Sequence, residues 1–347
     1  MRVGPIRWFS FFLMLLLVFV VTASVAPSKN RREKRAGEQK LAKLVRVNPD
    51  YIGIGNSMLR SRINPRVFKK TSGKKIFLLA PGGSVSSAWY LLLKNFVVEA
   101  NHRRGPSYKG KRILVFFRGA RLTKPLEFFR TPRNMTQALR FSNGYEPVYD
   151  SIVLKAGGYR VLMQRLVDRY YPIDAVDANW TEVLQEVSVF PLGLAGIDAR
   201  ERLAEVNSVF ADDRLKHTTQ TLGQNDTAQP KKFTFSDMAS NFERHVQESF
   251  LPEMIKLGKE NDLDLVFVRV RRRPSRASGR AHPNKAALEK YIGVLKNYIH
   301  RQGFTLIDLS NEKRISRRMF EGGDHIARKY KSIYTKLFVQ ILAKHGK

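Results

Sequence analysis

The sequence contains no cysteine, which excludes a disulfide-stapled scaffold, a thiolate zinc or iron–sulfur site, and a cysteine nucleophile. Acidic residues are also scarce, with 30 Asp and Glu against 62 Lys and Arg, so the formal net charge is +32. Such an excess predicts an anionic partner: nucleic acid, an acidic membrane face or an acidic polymer. Hydrophobic residues nevertheless make up 43% of the 347 residues, which excludes a disordered chain and is enough for a sizeable core.

Motifs for bound cofactors and metal ions are missing as well. The chain has no GxxxxGK[ST] loop for cradling phosphates. Several histidines lack the spacing of metal ligands, namely His102, His217, His245, His282, His300 and His345. We therefore expect neither a metal site nor a cofactor.

An apolar run without charge, Trp8 to Val21, follows a basic start of the chain. A run of this kind is about long enough for a helix to cross ~30 Å of hydrocarbon. The same layout is typical of a secretory signal, with Ser24 and Ala26 at the spacing of a cleavage site but Pro27 directly after them. Residues 1–26 are thus predicted to be a signal peptide or a membrane anchor, and a buried helix is a third alternative.

The next segment, residues 27–47, is polar and charged without an apolar period, and we predict a basic linker or juxtamembrane stalk. By the positive-inside tendency its basic cluster opposes export of the residues beyond it, the cluster being Lys29, Arg31, Arg32, Lys34 and Arg35. The globular domain is expected to cover residues 48–345.

Beyond residue 48, short apolar stretches alternate with stretches of helical spacing. We predict strands over 51–55, 75–80, 112–117, 264–270 and 304–308, and helices over 84–100, 242–263, 286–299 and 327–343. This alternation predicts an α/β fold, a flavodoxin-like doubly wound parallel sheet of about five strands with helices on both faces. Residues 120–235 break the alternation and are predicted to be a large helical insertion between strands 3 and 4, which would form a lid or a substrate wall.

Two residues with catalytic chemistry follow the ends of predicted strands. Ser57 lies in a turn after the first strand, where its hydroxyl would be exposed and nearby amides could stabilise an oxyanion; a helix N-cap is the alternative role. His325 lies in a Gly-rich loop before the last helix, and a histidine there can act as general base to a serine that it meets. Because both loops open on the same edge of such a sheet, we expect Ser57 and His325 to be in contact.

Three short motifs carry a resemblance to a known group. Gly55-Asn56-Ser57, Pro81-Gly-Gly-Ser84 and Glu321-Gly-Gly-Asp-His325 resemble, in this order, the blocks of the SGNH (GDSL-like) hydrolase superfamily. The resemblance spans roughly residues 48–345 and is closest to exported or membrane-anchored members linked to polysaccharide O-acetylation. It implies that Ser57 is the nucleophile, that His325 is the base, and that the Gly83 amide helps to form the oxyanion hole.

The sequence also departs from that pattern. The superfamily usually has Asp three residues before the histidine, where this chain has Gly322. Glu321 is our first candidate for the missing carboxylate and Asp324 the second, whereas a Ser–His dyad would need neither. The superfamily usually also has a motif with an asparagine after the third strand, and this chain has no clear match to that motif. Two residues are candidates for stabilising the oxyanion in its place, Arg118 and Asn143.

Together these features predict a Ser–His O-acetyltransferase or esterase acting on an acidic or acetylated polysaccharide, with its body in the cell envelope outside the cytoplasm. The resemblance further implies a membrane-embedded acyltransferase as acyl donor. Arg60, Arg271 and Arg272 are predicted to bind an anionic ligand, a solvated face being the alternative. The alternative function is an inactive SGNH-like module that binds an anionic glycan. Nucleic acid is the less favoured partner because of the apolar N-terminus.

Overall fold

The computed structural model describes Leu13 and residues 27–105, 111–124, 141–142, 146–155, 234–274 and 285–345. The chain divides into two compact units, Met1–Arg32 with Gln164–Lys232, and Glu33–Met163 with Phe233–Lys347. In the first unit the described residues are Leu13 and 27–32, all helical. The sheet and the candidate site belong to the second unit.

A sheet of five parallel strands, in the order β2-β1-β3-β4-β5, organises the second unit. The strands are β1 (Tyr51–Ile54), β2 (Ile76–Leu79), β3 (Arg112–Phe117), β4 (Asp264–Arg269) and β5 (Thr305–Asp308). This is the strand order of a flavodoxin-like fold, so the predicted fold class is confirmed at that level. Each predicted strand is correct to within one residue at either end.

In the described part of the chain, helices precede β1, lie between the strands and follow the last strand. They are α1 (Pro27–Val47), α2 (Ser57–Arg62), α3 (Pro65–Ser72), α4 (Ser86–Leu92), α5 (Glu99–Arg104), α6 (Pro147–Lys155), α7 (Phe235–Ser240), α8 (Phe242–Gln247), α9 (Leu251–Glu260), α10 (Lys285–Arg301) and α11 (Lys331–Lys344). A π-helical stretch, Leu93–Val98, joins α4 to α5, and 3₁₀ turns cover Arg317–Met319 and Arg328–Tyr330. Among the described residues, no helix is long and apolar enough to cross a membrane. The predicted signal or anchor, residues 1–26, lies outside them except for Leu13.

The sheet is buried on both faces, which explains why β3 and β4 are almost continuously apolar. Ile113, Val115 and Phe117 point into one core, which α1, α4, α5 and α6 to α10 cover. Leu114 and Phe116 point into a second core under α2, α3 and α11. Helices on both faces leave the carboxyl edge of the strands open, and ligands bind at this edge in folds of this class.

Residues 27–47 differ from the predicted linker, because they form the helix α1. Leu41 and Leu44 of this helix lie one turn apart and are buried in the first core, at 5% and 0% exposure. The strongly basic composition hides this short apolar stripe. The C-terminal half of α1 is therefore part of the globular unit rather than a tether.

The long helix predicted over 242–263 is instead two helices, α8 and α9. Pro252 occupies the first turn of α9, where its missing N–H costs no hydrogen bond. Just before it, the Ser249 hydroxyl accepts a hydrogen bond from the Leu251 amide at 3.2 Å and so begins the new helix. In the β3–β4 connection the described residues form α6 to α9; most of the predicted insertion, 120–235, lies outside them.

Packing at the amino edge of the sheet predicts a stability difference between two glycine substitutions. A Cβ on Gly258 of α9 would lie 2.7 Å from Leu265 Cδ1 and 3.0 Å from Phe304 Cζ, whereas a Cβ on Gly293 of α10 would meet nothing within 4 Å. We expect Gly258→Ala to lower the free energy of unfolding by about 1–3 kcal/mol. Gly293→Ala should raise it by about 0.5–1 kcal/mol, because alanine favours the helix. Urea unfolding midpoints measure both, and equal midpoints would contradict the packing described.

Candidate active site

Ser57 is the first residue of α2, and Asn56 before it is the N-cap. The Asn56 side chain accepts a hydrogen bond from the Met58 amide at 3.0 Å, and its carbonyl accepts one from the Leu59 amide at 3.0 Å. The capping role that was the alternative for Ser57 is therefore filled by its neighbour. The Ser57 hydroxyl is left for another contact, on a partly exposed position at the carboxyl edge of β1.

A close approach between α2 and β3 fixes the position of Ser57. A Cβ on Gly55 would lie 3.1 Å from Leu59 Cβ and 3.2 Å from Phe116 Cβ. Glycine at this position lets the first turn of α2 pack directly against the end of β3. The nucleophile candidate is thus held on buried, rigid elements rather than on a loose loop.

His325 belongs to a short antiparallel hairpin that the sequence suggested only as a Gly-rich loop. Its strands are β6 (Phe320–Glu321) and β7 (His325–Ile326). Gly322 and Gly323 between them have φ values of 49° and 75°, the left-handed region that favours glycine. The Ile326 amide donates to the Ser61 hydroxyl at 3.4 Å, which joins the hairpin to α2.

The expected contact between Ser57 and His325 is present. His325 Nε2 lies 3.0 Å from Ser57 Oγ, and His325 Nδ1 lies 3.1 Å from the carbonyl oxygen of Gly322. A carbonyl oxygen can only accept a hydrogen bond, so Nδ1 carries the proton in this arrangement. Nε2 then presents its lone pair to the serine hydroxyl, which is the tautomer that a general base requires.

A serine hydroxyl facing a correctly oriented imidazole is the arrangement of an activated nucleophile. No protein-family model and no curated protein matches this chain. The chemistry of the site therefore follows from distances, hydrogen bonds and charges. These allow proton transfer from Ser57 to His325 and attack of Ser57 Oγ on an electrophilic carbon.

Neither predicted carboxylate contacts the imidazole of His325. Glu321 is exposed, and no described residue forms a hydrogen bond to its carboxylate. Asp324 pairs with the Arg118 guanidinium and accepts a hydrogen bond from the Arg273 amide at 2.9 Å. The third position of the site is therefore occupied by the Gly322 carbonyl, a backbone group that residue types do not reveal.

The carboxylate of Asp324 is surrounded by cationic groups. Arg272 Nε lies 3.7 Å from its Oδ2, on the same oxygen that pairs with Arg118. Burial alone raises the pKa of Asp324, but the hydrogen bond from the Arg273 amide and the charge of Arg118 outweigh it and hold this pKa below its ordinary value. Asp324 is thus an anionic residue that organises arginines beside the hairpin.

The loop that carries Gly83 is fixed against the Ser57 turn. Ser84 Oγ lies 2.9 Å from the carbonyl oxygen of Gly55 and accepts a hydrogen bond from Trp89 Nε1 at 3.1 Å. Gly83 itself is exposed and has a φ of 69°. In the described part of the chain, no residue accepts a hydrogen bond from the Ser57 amide. Of the other predicted oxyanion groups, Arg118 is paired with Asp324, and Asn143 lies outside the described residues.

Arg62 is a site residue that the sequence analysis missed. Its side chain is 0% exposed, and its guanidinium donates to the carbonyl oxygens of Met58 at 3.1 Å, Arg271 at 3.0 Å and Asp324 at 2.8 Å. It thereby joins the helix that begins with Ser57, the loop that follows β4 and the hairpin that carries His325. Met58 and Arg62 lie four residues apart, on the buried face of α2. This helical spacing from an apolar residue could have indicated that Arg62 is buried, but the many basic residues around it make the spacing hard to recognise.

The predicted anion-binding arginines are not brought together as one group. Arg60 is exposed on α2, and its charge acts on Lys331 at the start of α11. Arg271 donates from its side chain to the Glu312 carbonyl. Of the three, Arg272 alone joins Asp324. Within the ranges that the structure describes, no cluster of three His, Asp or Glu side chains could hold a metal ion.

Proposed function

We propose that this chain is a Ser–His acyl-transfer enzyme, either an esterase or an O-acyltransferase of the SGNH type. One observation carries the proposal: Ser57 Oγ lies 3.0 Å from an imidazole nitrogen whose partner nitrogen donates to Gly322, so that the base faces the hydroxyl. The fold supports it as well, because the pair lies at the carboxyl edge where doubly wound sheets bind ligands.

In the proposed reaction, His325 Nε2 takes the Ser57 proton while Oγ forms a bond to the acyl carbon. The Ser57 and Gly83 amides stabilise the negative charge that develops on the carbonyl oxygen. The tetrahedral intermediate expels the alcohol, which receives the proton from the imidazolium, and leaves an acyl-Ser57. The imidazole then takes a proton from the acceptor, either water or a sugar hydroxyl, whose oxygen forms a bond to the acyl carbon. When this second tetrahedral intermediate breaks its bond to Ser57 Oγ, the imidazolium returns the proton to Oγ, and the acyl group leaves as a carboxylic acid or as the ester of the sugar.

The resemblance to SGNH proteins supplies the remainder of the proposal. It suggests an acidic or acetylated polysaccharide in the cell envelope as the substrate and a membrane-embedded acyltransferase as the acyl donor. The N-terminal residues 1–26 would anchor or export the body. The formal net charge of +32 fits an acidic partner of this kind.

A second candidate function is a glycan-binding module without turnover. The observation in its favour is that His325 Nδ1 faces a neutral carbonyl rather than a carboxylate. A neutral acceptor fixes the tautomer, but it lacks the negative charge with which the carboxylate of a full triad stabilises the imidazolium that forms during turnover. An active-site label separates the two functions.

We expect a fluorophosphonate to label the intact protein on Ser57, because only an activated serine attacks this reagent readily. Mass spectrometry of the digested protein locates the adduct. Ser57→Ala should lose the label, whereas Ser72→Ala should keep it, because the Ser72 hydroxyl lies at the end of α3 and donates to the Phe68 carbonyl at 2.8 Å. Absence of label from folded protein, together with no turnover of an aryl acetate, would favour the binding module.

A further inference from the structure

Positive charge is concentrated at the carboxyl edge of the sheet, where Arg118 follows β3 and Arg272 follows β4. Arg118 and Arg272 both contact the Asp324 carboxylate, and Asp324 is the residue before His325, so their Cα atoms are ~3.8 Å apart. Arg121 belongs to the same turn as Arg118, since its amide donates to the Arg118 carbonyl at 3.1 Å. The arginine cluster, defined as Arg118, Arg121 and Arg272, therefore lies beside the hairpin that carries His325.

The charges of this cluster are not balanced by the described residues. Arg118 and Arg272 share the Asp324 carboxylate, and among the residues with described positions no other carboxylate forms an ion pair with any of the three arginines. Burial and the neighbouring positive charge of Arg118 lower the pKa of Arg121, against the pull of Asp324. Because two guanidinium groups contact one carboxylate and the charge of a third, Arg121, acts on the same group, an additional oxyanion at this place would relieve their repulsion.

The geometry suits recognition of a carboxylate or a phosphate. Guanidinium groups present donors in a planar fork that matches the oxygens of both anions. Arg118 has 30% of its side chain exposed and Arg272 has 57%, so a ligand at the sheet edge can reach them. Asp324 holds Arg118 and Arg272 in place without neutralising the group.

We propose that the arginine cluster is a subsite for an oxyanion on the substrate, so that the enzyme prefers esters that also carry a carboxylate or a phosphate. This inference rests on the proposed function and adds the chemical class of its substrate. Of the anion-binding residues predicted from the sequence, Arg60, Arg271 and Arg272, it keeps Arg272, and it adds Arg118 and Arg121.

Three aryl acetates test the preference: 3-acetoxybenzoate, 3-acetoxyphenyl phosphate and the neutral methyl 3-acetoxybenzoate. Each kcat/KM is divided by the imidazole-catalysed rate of the same ester, which corrects for the leaving groups. We expect the anionic esters to be favoured about ten-fold, the size of one charge-assisted hydrogen bond, and the better of the two identifies the anion. The preference should shrink when the salt concentration rises from about 0.05 M to about 0.5 M.

Charge-neutral variants locate the subsite. Arg121→Gln and Arg272→Gln should each reduce the preference towards unity, mainly through KM. Arg103→Gln is the matched control, because Arg103 lies on α5 at the amino edge of β3 and pairs with Glu99; it should keep the wild-type preference. Equal corrected kcat/KM for all three esters in an active wild-type enzyme would overturn the proposal.

Binding to Ser57→Ala separates this proposal from the proposed function. Calorimetry with 3-acetoxybenzoate and 3-acetoxyphenyl phosphate should show binding of at least one of them that Arg121→Gln weakens about ten-fold. If the wild type turns over no ester but this binding is present, the subsite stands and the catalytic function fails. If neither anion binds, or if Arg121→Gln leaves binding unchanged, the subsite is overturned even for an active enzyme.

Discussion

Ser57→Ala and His325→Ala are each expected to lower kcat for an aryl acetate by roughly 10⁴-fold or more, because the two side chains act as one unit. Without the hydroxyl no acyl-enzyme can form. Without the imidazole the hydroxyl keeps its proton and is a weak nucleophile. For the same reason the double variant should be no slower than the slower single variant. Steady-state kinetics on the intact protein, with the wild type as reference, measure all three.

The control for this experiment lies away from the site. Ser72→Ala removes a hydroxyl at the end of α3 that donates to the Phe68 carbonyl at 2.8 Å, and we expect kcat to stay within about three-fold of the wild type. If the loss of kcat in the double variant equals the product of the losses in the two single variants, Ser57 and His325 act separately. That result would contradict the proposed proton transfer between them.

Glu321→Gln distinguishes the two possible partners of His325. The Gly322 carbonyl at 3.1 Å already accepts the Nδ1 proton, so removing the charge of Glu321 should change kcat by less than about three-fold. A loss of about 100-fold or more would mean that Glu321 turns towards the imidazole during the reaction, as the sequence pattern predicts.

The fold was predictable because its signals are local and strong. Strands β3 and β4 are nearly uninterrupted apolar runs, and such runs between helical patterns predict a parallel sheet buried on both faces. Ser57 and His325 could be paired from the sequence, since strand order in this fold brings their loops to one edge. The catalytic role of the pair stays a prediction.

The rest of the site depends on contacts between segments distant in sequence. Arg62 lies in a basic stretch that predicts a solvated face, yet it is buried because three carbonyl oxygens from separate segments converge on it. The acceptor for His325 Nδ1 is the backbone of Gly322, and backbone groups are the same at every position. Asp324 precedes His325 in sequence but faces Arg118, because neighbouring side chains in a strand-like segment point to opposite sides.

Substitution of Arg62 is expected to misalign Ser57 and His325 and to lower kcat by about 100-fold, the cost of a displacement of about 1 Å at a reacting pair. Arg62 Cζ lies 5.9 Å from the centroid of the Phe320 ring and 5.7 Å from the centroid of the Tyr334 ring. Burial lowers its pKa from the ordinary value, but arginine stays charged in proteins. The guanidinium therefore acts as a fixed cation that joins three segments through their carbonyls.

Two variants of Arg62 test this positioning role. Arg62→Lys keeps the charge, but a single ammonium cannot reach acceptors in three directions as the planar guanidinium does. Arg62→Met keeps the length and leaves the Arg271 and Asp324 carbonyls without their donor. Each hydrogen bond to a charged group contributes about 1.5–3 kcal/mol, and the guanidinium's own burial offsets part of this. We therefore expect both variants to lose about 2–4 kcal/mol of unfolding free energy.

The kinetic result must be separated from general destabilisation. Gly258→Ala provides the comparison, because it should lower stability by a similar amount while its clash with Leu265 lies at the amino edge of the sheet, away from the site. We expect Gly258→Ala to keep the wild-type rate of fluorophosphonate labelling and both Arg62 variants to lose it. KM should change little in the Arg62 variants, because a fully buried side chain does not touch the substrate. Equal labelling by folded Arg62→Lys and Gly258→Ala proteins would show that the alignment of Ser57 with His325 does not depend on Arg62.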